Sequence, residues 1–488
     1  MTSQERRTKI VATLGPATDS PERMRRLLDA GVDVVRINFS HGDADEHRRR
    51  CRLVRDTAAA LDREVAVLGD LSGPKIRVER FADGPVALKA GERFILDGRP
   101  DAPPGDAGRV GVSYAGLAGD VAVGDTLLLD DGLVSLEVTA VDGSQVHTHV
   151  LADAVLSDRK GLNRLGGGLS LDALTDKDRD DIVLATELGM DFIAVSFCRS
   201  AADIELARSL LQAAGSDADV IAKIERAEAI TNLDEIVDAS DAVMVARGDL
   251  GVEIDDAELP GLQKKIIRVA VGRNRAVITA TQMLQSMVDS PIPTRAEVLD
   301  VANAVIDGTD AVMLWAESAI GRHPVQSVAT MARICAAAER QFEPPLDLAP
   351  GDRDLARTDQ AIALASMFLA RQIEVRAILA LTESGATARW LSRYRSQVPI
   401  FALSRSDGAR RRMRILRDVF PIDFHAPPGN PLLAARAAIS RLHGLGRLSE
   451  GDRVILTNGD HTGELGGTNT LKLLRVGPAG IAEGLGDL

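Results

Sequence analysis

Aromatic residues are scarce in this chain: two tryptophans, two tyrosines and ten phenylalanines make up 3% of its 488 residues. That scarcity excludes a flat aromatic platform for stacking single-stranded bases. A basic excess is missing as well. The net charge of −13 has the wrong sign for a nucleic-acid binder, yet leaves room for a local basic pocket around a phosphorylated small molecule. Cysteine is nearly absent. Cys51, Cys198 and Cys335 are far apart and odd in number, with neither disulfide-framework nor zinc spacing, which suits a reducing compartment. No apolar run reaches the ~18–20 residues needed to cross a bilayer. The segment from Met1 to Lys9 is polar and holds no stretch of signal-peptide length. The expectation is a cytoplasmic protein with no membrane and no nucleic-acid partner.

What is present reads as a multidomain globular enzyme. Hydrophobic residues are 45% and charged residues 26%, and 488 residues suggest roughly two to four domains. Short apolar, β-branched runs recur at Lys9–Gly15, Val32–Asn38, Glu64–Leu71, Asp191–Phe197, Asp219–Glu225, Ala242–Gly248, Ala276–Thr281 and Ala311–Trp315, each followed by a helix-like segment. Continuous apolar runs of this length suit parallel strands buried on both faces. Eight of them alternating with helices is the count of a TIM (β/α)8 barrel. The polar residues at their ends favour that α/β fold over an open sheet. They are Arg36 and Asn38, Asp70, Ser196, Lys223 and Glu225, Arg247 and Asp249, Thr281 and, with the last strand read on to it, Glu317. In a barrel these ends converge on one face.

An insertion of different texture, residues 78–157, shows short β-like alternations broken by Gly, Asp and Pro turns. It is read as a small all-β lid domain growing from a βα loop. The barrel then comprises residues 1–77 and 158–345. After a linker at Glu343–Asp352, residues 353–488 read as a C-terminal α/β domain.

Five motifs carry the chemistry: Asn38–Phe–Ser–His–Gly42, Ala222–Lys–Ile–Glu225, Val245–Ala–Arg–Gly–Asp–Leu–Gly–Val–Glu253, Ala280–Thr–Gln–Met–Leu284 and Pro293–Thr–Arg–Ala–Glu297. As residues, Glu225 and Asp249 are two carboxylates at neighbouring strand ends, suited to one hard divalent ion that completes its shell with water and substrate oxygens. The plain alternative is a pair of surface ion pairs, Glu225 with Lys223 and Asp249 with Arg247. A lysine ammonium at contact distance from a phosphoryl group is worth on the order of 4 kcal/mol even at an effective dielectric of 20.

Taken in order, the motifs resemble pyruvate kinase, from Arg7 to Val476 and across all three domains. The resemblance implies phosphoryl transfer from phosphoenolpyruvate to ADP, giving pyruvate and ATP, in the last step of glycolysis. It assigns Mg2+ or Mn2+ to Glu225 and Asp249, and phosphoryl stabilisation to Lys223 with Arg36 and Arg77 as clamps. The substrate carboxylate is expected on the amides of Gly248 and Asp249 and the hydroxyl of Thr281, which with ordered water is also a plausible proton relay to the enolate. Asn38, Phe39, Ser40, His41, Arg77 and Lys160 match nucleotide positions. A homotetramer is implied.

The chain departs from the pattern in several places. Many relatives require K+ and carry an acidic residue where Lys75 stands in Asp70–Leu–Ser–Gly–Pro–Lys–Ile–Arg77. The expectation is that K+ is not required, Lys75 replacing its charge beside an old cation pocket of Asn38, Ser40, Asp70 and Leu71. Trp315, in Leu314–Trp–Ala–Glu–Ser318, stands where the family usually has serine, and puts the proton relay in doubt. Gly161–Leu–Asn–Arg–Leu–Gly166 lacks a usual proline at the lid hinge. Thr382, Glu383, Ser384, Gly385, Ala386 and Thr387 open a helix with hydroxyls and amides fit for a phosphate. Relatives bind a phosphorylated sugar effector there, so a sugar phosphate or AMP is expected, against an ordinary N-cap as the alternative. Two competing functions are a metal-dependent aldolase on the same barrel and a weakly catalytic sensor of phosphorylated metabolites.

Overall fold

The computed structural model describes residues 6–341, 357–427, 430–460 and 466–484; the linker read at Glu343–Asp352 lies outside them. The barrel begins with β1 (Lys9–Thr13), β2 (Val34–Asn38) and β3 (Ala66–Asp70). The inserted domain follows as β4 (Val86–Leu88), β5 (Arg93–Asp97), β6 (Arg109–Gly111), β7 (Thr126–Leu129), β8 (Val134–Asp142), β9 (Gln145–Val150), β10 (Ala154–Leu156) and β11 (Leu162–Arg164). The barrel resumes with β12 (Phe192–Val195), β13 (Asp219–Ile224), β14 (Ala242–Ala246), β15 (Ala276–Ala280) and β16 (Ala311–Leu314). Its eight strands close in the order β1-β16-β15-β14-β13-β12-β3-β2, all parallel.

Period-2 alternation sorts each strand into a lumen side and a helix side. Val11, Val34, Leu68, Ile221, Met244 and Ile278 fill the lumen. Their neighbours Ile10, Val35, Val67, Val220, Val243 and Val277 pack outward against the helices. Two residues beyond a lumen position is again a lumen position. That step brings Thr13, Arg36, Asp70, Ser196 and Lys223 to the C-terminal mouth of the barrel. The last strand is shorter than the sequence suggests. It ends at Leu314, and Glu317 belongs to the helical turn Ala316–Ala319.

The inserted domain has its own apolar core around Phe94, Leu127, Leu136 and Val146. Its main sheet runs β11-β7-β8-β9-β5-β6, with β10 and β4 as a separate pair. Because β11 pairs with β7, this sheet takes in Leu162–Arg164, beyond the 78–157 read for the domain. The C-terminal sheet comprises β17 (Ala377–Leu381), β18 (Ile400–Ser404), β19 (Val419–Asp423), β20 (Arg453–Gly459), β21 (Thr468–Val476) and β22 (Ala482–Glu483), ordered β19-β18-β17-β20-β21-β22.

This domain closes the other end of the barrel. Leu391, Tyr394, Met413 and Leu416 belong to the same buried cluster as the lumen residues. At the lumen floor Lys9 is buried, donates to the Val419 carbonyl at 2.6 Å and lies 4.5 Å from the centre of the Phe420 ring. Around it, arginines of the C-terminal domain meet acidic residues at the starts of barrel strands. Arg389 reaches Asp219 at 3.0 Å, Arg410 reaches Glu64 at 2.6 Å and Arg411 reaches Asp191 at 2.7 Å. Arg393 pairs with Asp310, both almost fully buried, and Asp310 also accepts the Arg417 and Val277 amides at 3.0 Å. Among the described residues, no helix is long and apolar enough to cross a membrane.

Replacing Asp310 by Asn would leave the Arg393 guanidinium buried without its counter-charge, a loss of about 3–5 kcal/mol. Urea unfolding checks this, and a loss below about 1 kcal/mol would contradict it. Burial lowers the Lys9 pKa to about 8. Between that value and the ordinary lysine range the unfolded chain holds a proton that the folded chain has released, so this residue makes stability rise with pH there. Lys9→Met is expected to flatten that part of the stability–pH curve.

Candidate active site

The barrel mouth gathers charge on a small footprint. Arg36 donates through Nε to Asp70 Oδ2 at 2.6 Å and through Nη1 to Thr13 Oγ1 at 3.0 Å. On the other side of Asp70, Lys223 Nζ lies 3.5 Å from Oδ1, 2.7 Å from Ser196 Oγ and 3.2 Å from Glu225 Oε2. Burial works against the Lys223 ammonium, but Asp70 and Glu225 outweigh it and hold its pKa above the ordinary lysine value. Burial likewise opposes the Asp70 charge, and Arg36 and Lys223 overcome it to leave its pKa lowered.

Glu225 is different. It is wholly buried at the turn after β13, and its Oε1 accepts the Phe197 amide at 2.7 Å. Its Oε2 is buried and, apart from the ion pair with Lys223 at 3.2 Å, accepts no hydrogen bond. Burial raises its pKa, Lys223 opposes the rise, and Asp249 adds to it. A buried carboxylate oxygen met by one ion pair and no hydrogen bond, next to a second carboxylate, is an environment that a divalent cation relieves. The donor set therefore fits Mg2+ or Mn2+. Among the described residues no group of three or more His, Cys, Asp or Glu side chains is gathered as a metal site, so such an ion would draw further oxygens from water or substrate.

Asp249 lies in the helix Arg247–Glu253, which starts directly after β14. Its partner is Lys75, whose Nζ is 2.8 Å from Oδ1, and not Arg247. Arg247 turns away to Asp300 at 2.7 Å and to the carbonyls of Ala280 at 3.1 Å and Thr281 at 2.6 Å. Those bonds brace strained backbone: Thr281 has φ +66° and Gln282 φ +53°. A β-branched residue in the left-handed region persists only where its surroundings hold it. The Thr281 hydroxyl accepts the Gly248 amide at 2.9 Å and donates to the Ala280 carbonyl at 2.7 Å. Gly248 and Thr281, both expected on the substrate carboxylate, thus meet each other.

The positions expected to meet the nucleotide divide. After β2, Asn38 Oδ1 accepts the Ser40 amide at 3.0 Å and its Nδ2 lies 3.2 Å from His41 Nδ1. Burial, then the charges of Arg77 and Arg36, hold His41 below its ordinary pKa. The Phe39 side chain belongs to the barrel's core cluster. It is fully buried, its ring 4.9 Å from that of His47 centre to centre, and its carbonyl accepts Lys177 at 2.8 Å. Arg77 sits at the lid junction, donating to the Arg159 carbonyl at 2.9 Å. Lys160 stays with the lid, 2.8 Å from Asp130. Asp70 and Leu71, read as parts of a cation pocket, are already engaged: Asp70 by two cations, the Leu71 carbonyl by the Ser196 hydroxyl at 2.7 Å.

Sequence reasoning passed over Thr13, and left Ser196 among strand ends without a role. Strand parity with Val11 and Ala194 was the available signal. Trp315 is 41% exposed, while Glu317 is buried and bridges the Leu284 amide at 3.0 Å and the Trp315 amide at 2.9 Å. In the C-terminal domain a cavity of about 150 Å3 is lined by Thr382, Glu383, Ser384, Thr387, Arg405 and Asn458. The Asn458 Oδ1 is buried there without a hydrogen bond. Gly385, at φ +87°, leaves no room for a Cβ, which would lie 2.7 Å from Met413 Cγ.

Residues 5–328 match the family described as pyruvate kinase, barrel domain, and residues 360–474 its alpha/beta domain. The chain is 49% identical to pyruvate kinase II of Salmonella typhimurium, over 98% of this chain and 100% of that one. It is also 49% identical to a pyruvate kinase of Haemophilus influenzae, covering 94% and 97% of the two chains. The crystal structure of a pyruvate kinase from Cryptosporidium parvum superposes with a TM-score of 0.91 at 33% identity, covering 96% of each chain.

Proposed function

The chain belongs to the pyruvate kinase family, and on that premise we propose how the barrel mouth carries a phosphoryl group from phosphoenolpyruvate to ADP. The enzyme is a phosphotransferase giving pyruvate and ATP. One observation carries the assignment of roles: the buried array in which Asp70 joins Arg36 to Lys223, with Glu225 against the same ammonium.

Phosphoryl transfer asks for positioning and charge stabilisation more than for covalent chemistry. The Lys223 ammonium is held in place by Ser196, Asp70 and Glu225, so it is pre-aimed and stabilises negative charge without reorganising. Arg36, fixed by Asp70 and Thr13, is the second phosphate clamp, and Arg77 at the lid junction the third. Glu225 and Asp249 would hold a divalent cation, which when bound neutralises phosphate oxygens. The braced Thr281, with Gly248 and Asp249, receives the substrate carboxylate, and its hydroxyl is the proton relay to the enolate. Asn38, Ser40 and His41 with Lys160 from the lid face the nucleotide.

Lys75 supports a K+-independent enzyme. Its ammonium, paired to Asp249 at 2.8 Å, supplies a fixed positive charge beside the cation-holding carboxylates. The small C-terminal cavity, with its unpartnered Asn458 oxygen, supports a phosphorylated sugar or AMP as effector. A cytoplasmic homotetramer completes the reading.

Pyruvate release from phosphoenolpyruvate, measured with and without ADP, tests the reaction. Release independent of ADP, with water taking the phosphoryl group, would favour a hydrolytic site, and tight ligand binding without turnover a sensor. In tetramethylammonium salts free of K+ and NH4+ the enzyme is expected to keep most of its activity, and Lys75→Glu to create a K+ requirement; strong K+ activation of the unaltered chain overturns this. Lys223→Met should lower kcat about a thousand-fold, corresponding to on the order of 4 kcal/mol. Thr382→Val combined with Ser384→Ala should abolish activation by a sugar phosphate or AMP while unactivated turnover persists. Kinetics of the unaltered enzyme indifferent to every such compound would refute an effector site.

A further inference from the structure

The lid returns to the barrel through a segment built to bend. Gly166, Gly167 and Gly168 have φ of +84°, +77° and +92°, three successive residues in a region that side-chain-bearing residues rarely adopt. Yet the segment is fastened closely. The Asn163 amide donates to Glu253 Oε1 at 3.2 Å, and the Gly166 N–H to the Glu253 carbonyl at 2.7 Å. The Gly168 N–H donates to Glu228 Oε1 at 2.6 Å, and the Leu169 carbonyl accepts Arg226 Nη2 at 3.1 Å.

These fasteners come from two short stretches of chain, Arg226 to Glu228 and Glu253. The first follows Glu225 directly. The second ends the single helix Arg247–Glu253 that carries Asp249. Glu253 also ties the two together: its Oε2 accepts the Ala227 amide at 3.0 Å and its Oε1 lies 3.6 Å from Arg226 Nε. It is only 2% exposed, so each of these bonds is made away from competing water. The outgoing connection to the lid is held toward the opposite end of the same helix, through Lys75 and Asp249 at 2.8 Å. Both lid connections therefore rest on the segments that carry the two candidate cation carboxylates.

We propose that Glu253 is a positioning residue: by pinning Asn163 and the glycine hinge to the far end of the Asp249 helix, it makes one mount set both the lid's seat and the spacing of the carboxylates. The proposal rests on the reading of Glu225 and Asp249 as the cation site. Glu253 touches neither substrate nor cation and acts through the backbone that it orders. A side chain of the same shape with one acceptor oxygen fewer would leave Asn163 or Ala227 unsatisfied, and the hinge would open more often.

Asn163→Ala and Glu253→Gln in the full chain test this. Asn163→Ala removes a lid-side fastener only and leaves Glu253 its barrel contacts, so it is expected to fold even where Glu253→Gln does not. Two measurements are read: amide exchange over residues 160–170 without ligand, and Mn2+ affinity by water-proton relaxation. The expected result is exchange faster by about tenfold in that segment with barrel strands unchanged. Mn2+ affinity should fall about tenfold in the same variants, although neither residue is a candidate ligand. Faster exchange with unaltered Mn2+ affinity makes Glu253 a structural clamp and overturns the proposal, as does exchange equal to the unaltered chain. If the unaltered chain binds no Mn2+, the cation reading falls and the proposal with it. If binding is lost in Glu225→Gln and Asp249→Asn but unchanged in Asn163→Ala, the proposal alone falls.

Discussion

Closing eight parallel strands into a barrel leaves a lumen with two ends, and whatever occupies an end is largely cut off from water. Charge can stay there only if it is matched within hydrogen-bond reach. At the C-terminal mouth the match is between Arg36, Asp70, Lys223 and Glu225. Asp70 is the pivot of this group, since it accepts from both cations and keeps them apart. One carboxylate oxygen of Glu225 is met by the Lys223 ion pair and by no hydrogen bond. That partly met oxygen, with Asp249 near it, leaves a place where another cation can join, and makes the mouth a candidate site and not a sealed core.

The floor solves the same problem in the opposite way. Lys9 occupies the lumen position that Thr13 occupies at the top, but it is closed in by the Val419 carbonyl and the Phe420 ring. The surrounding acidic residues are each met by an arginine of the C-terminal domain. The third domain is therefore a plug as well as a second α/β unit. Its helix Ala386–Ser392 opens at the small cavity and, through Arg389, holds Asp219, the first residue of the strand leading to Lys223. The inserted β domain completes the arrangement above, fastened to the turn that follows Glu225 and to the helix that bears Asp249.

Much of this was legible in the chain. Runs such as Ala242–Gly248 and Ala311–Trp315 are apolar because their strands are buried on both faces, so they stand out without any structure. Polar residues at lumen parity stand out against them, which is why Arg36, Asp70, Lys223 and Glu225 were found. Less legible were elements whose burial is partial. In β19, Pro421 and the half-buried Phe420 and Ile422 disguise an edge strand. The strand β11 is three residues long and pairs with β7, more than thirty residues earlier in the chain, so no local pattern announced it. Phe39 was read with its motif, and a motif does not report that its ring is buried in the core.

The sequence by itself determined the barrel, the inserted and C-terminal domains and the family, because period, polarity and motif order are properties of neighbouring residues. The scarcity of aromatics and the lack of a basic excess, with which the reading began, set the limits within which those motifs were read. Tertiary structure alone decided who pairs with whom. Lys75 meets Asp249 across 174 residues, Glu253 meets Asn163 across 90, and Arg393 meets Asp310 across 83. The energy of a buried charge depends on distance and dielectric, and both are set by the closed fold, not by position along the chain.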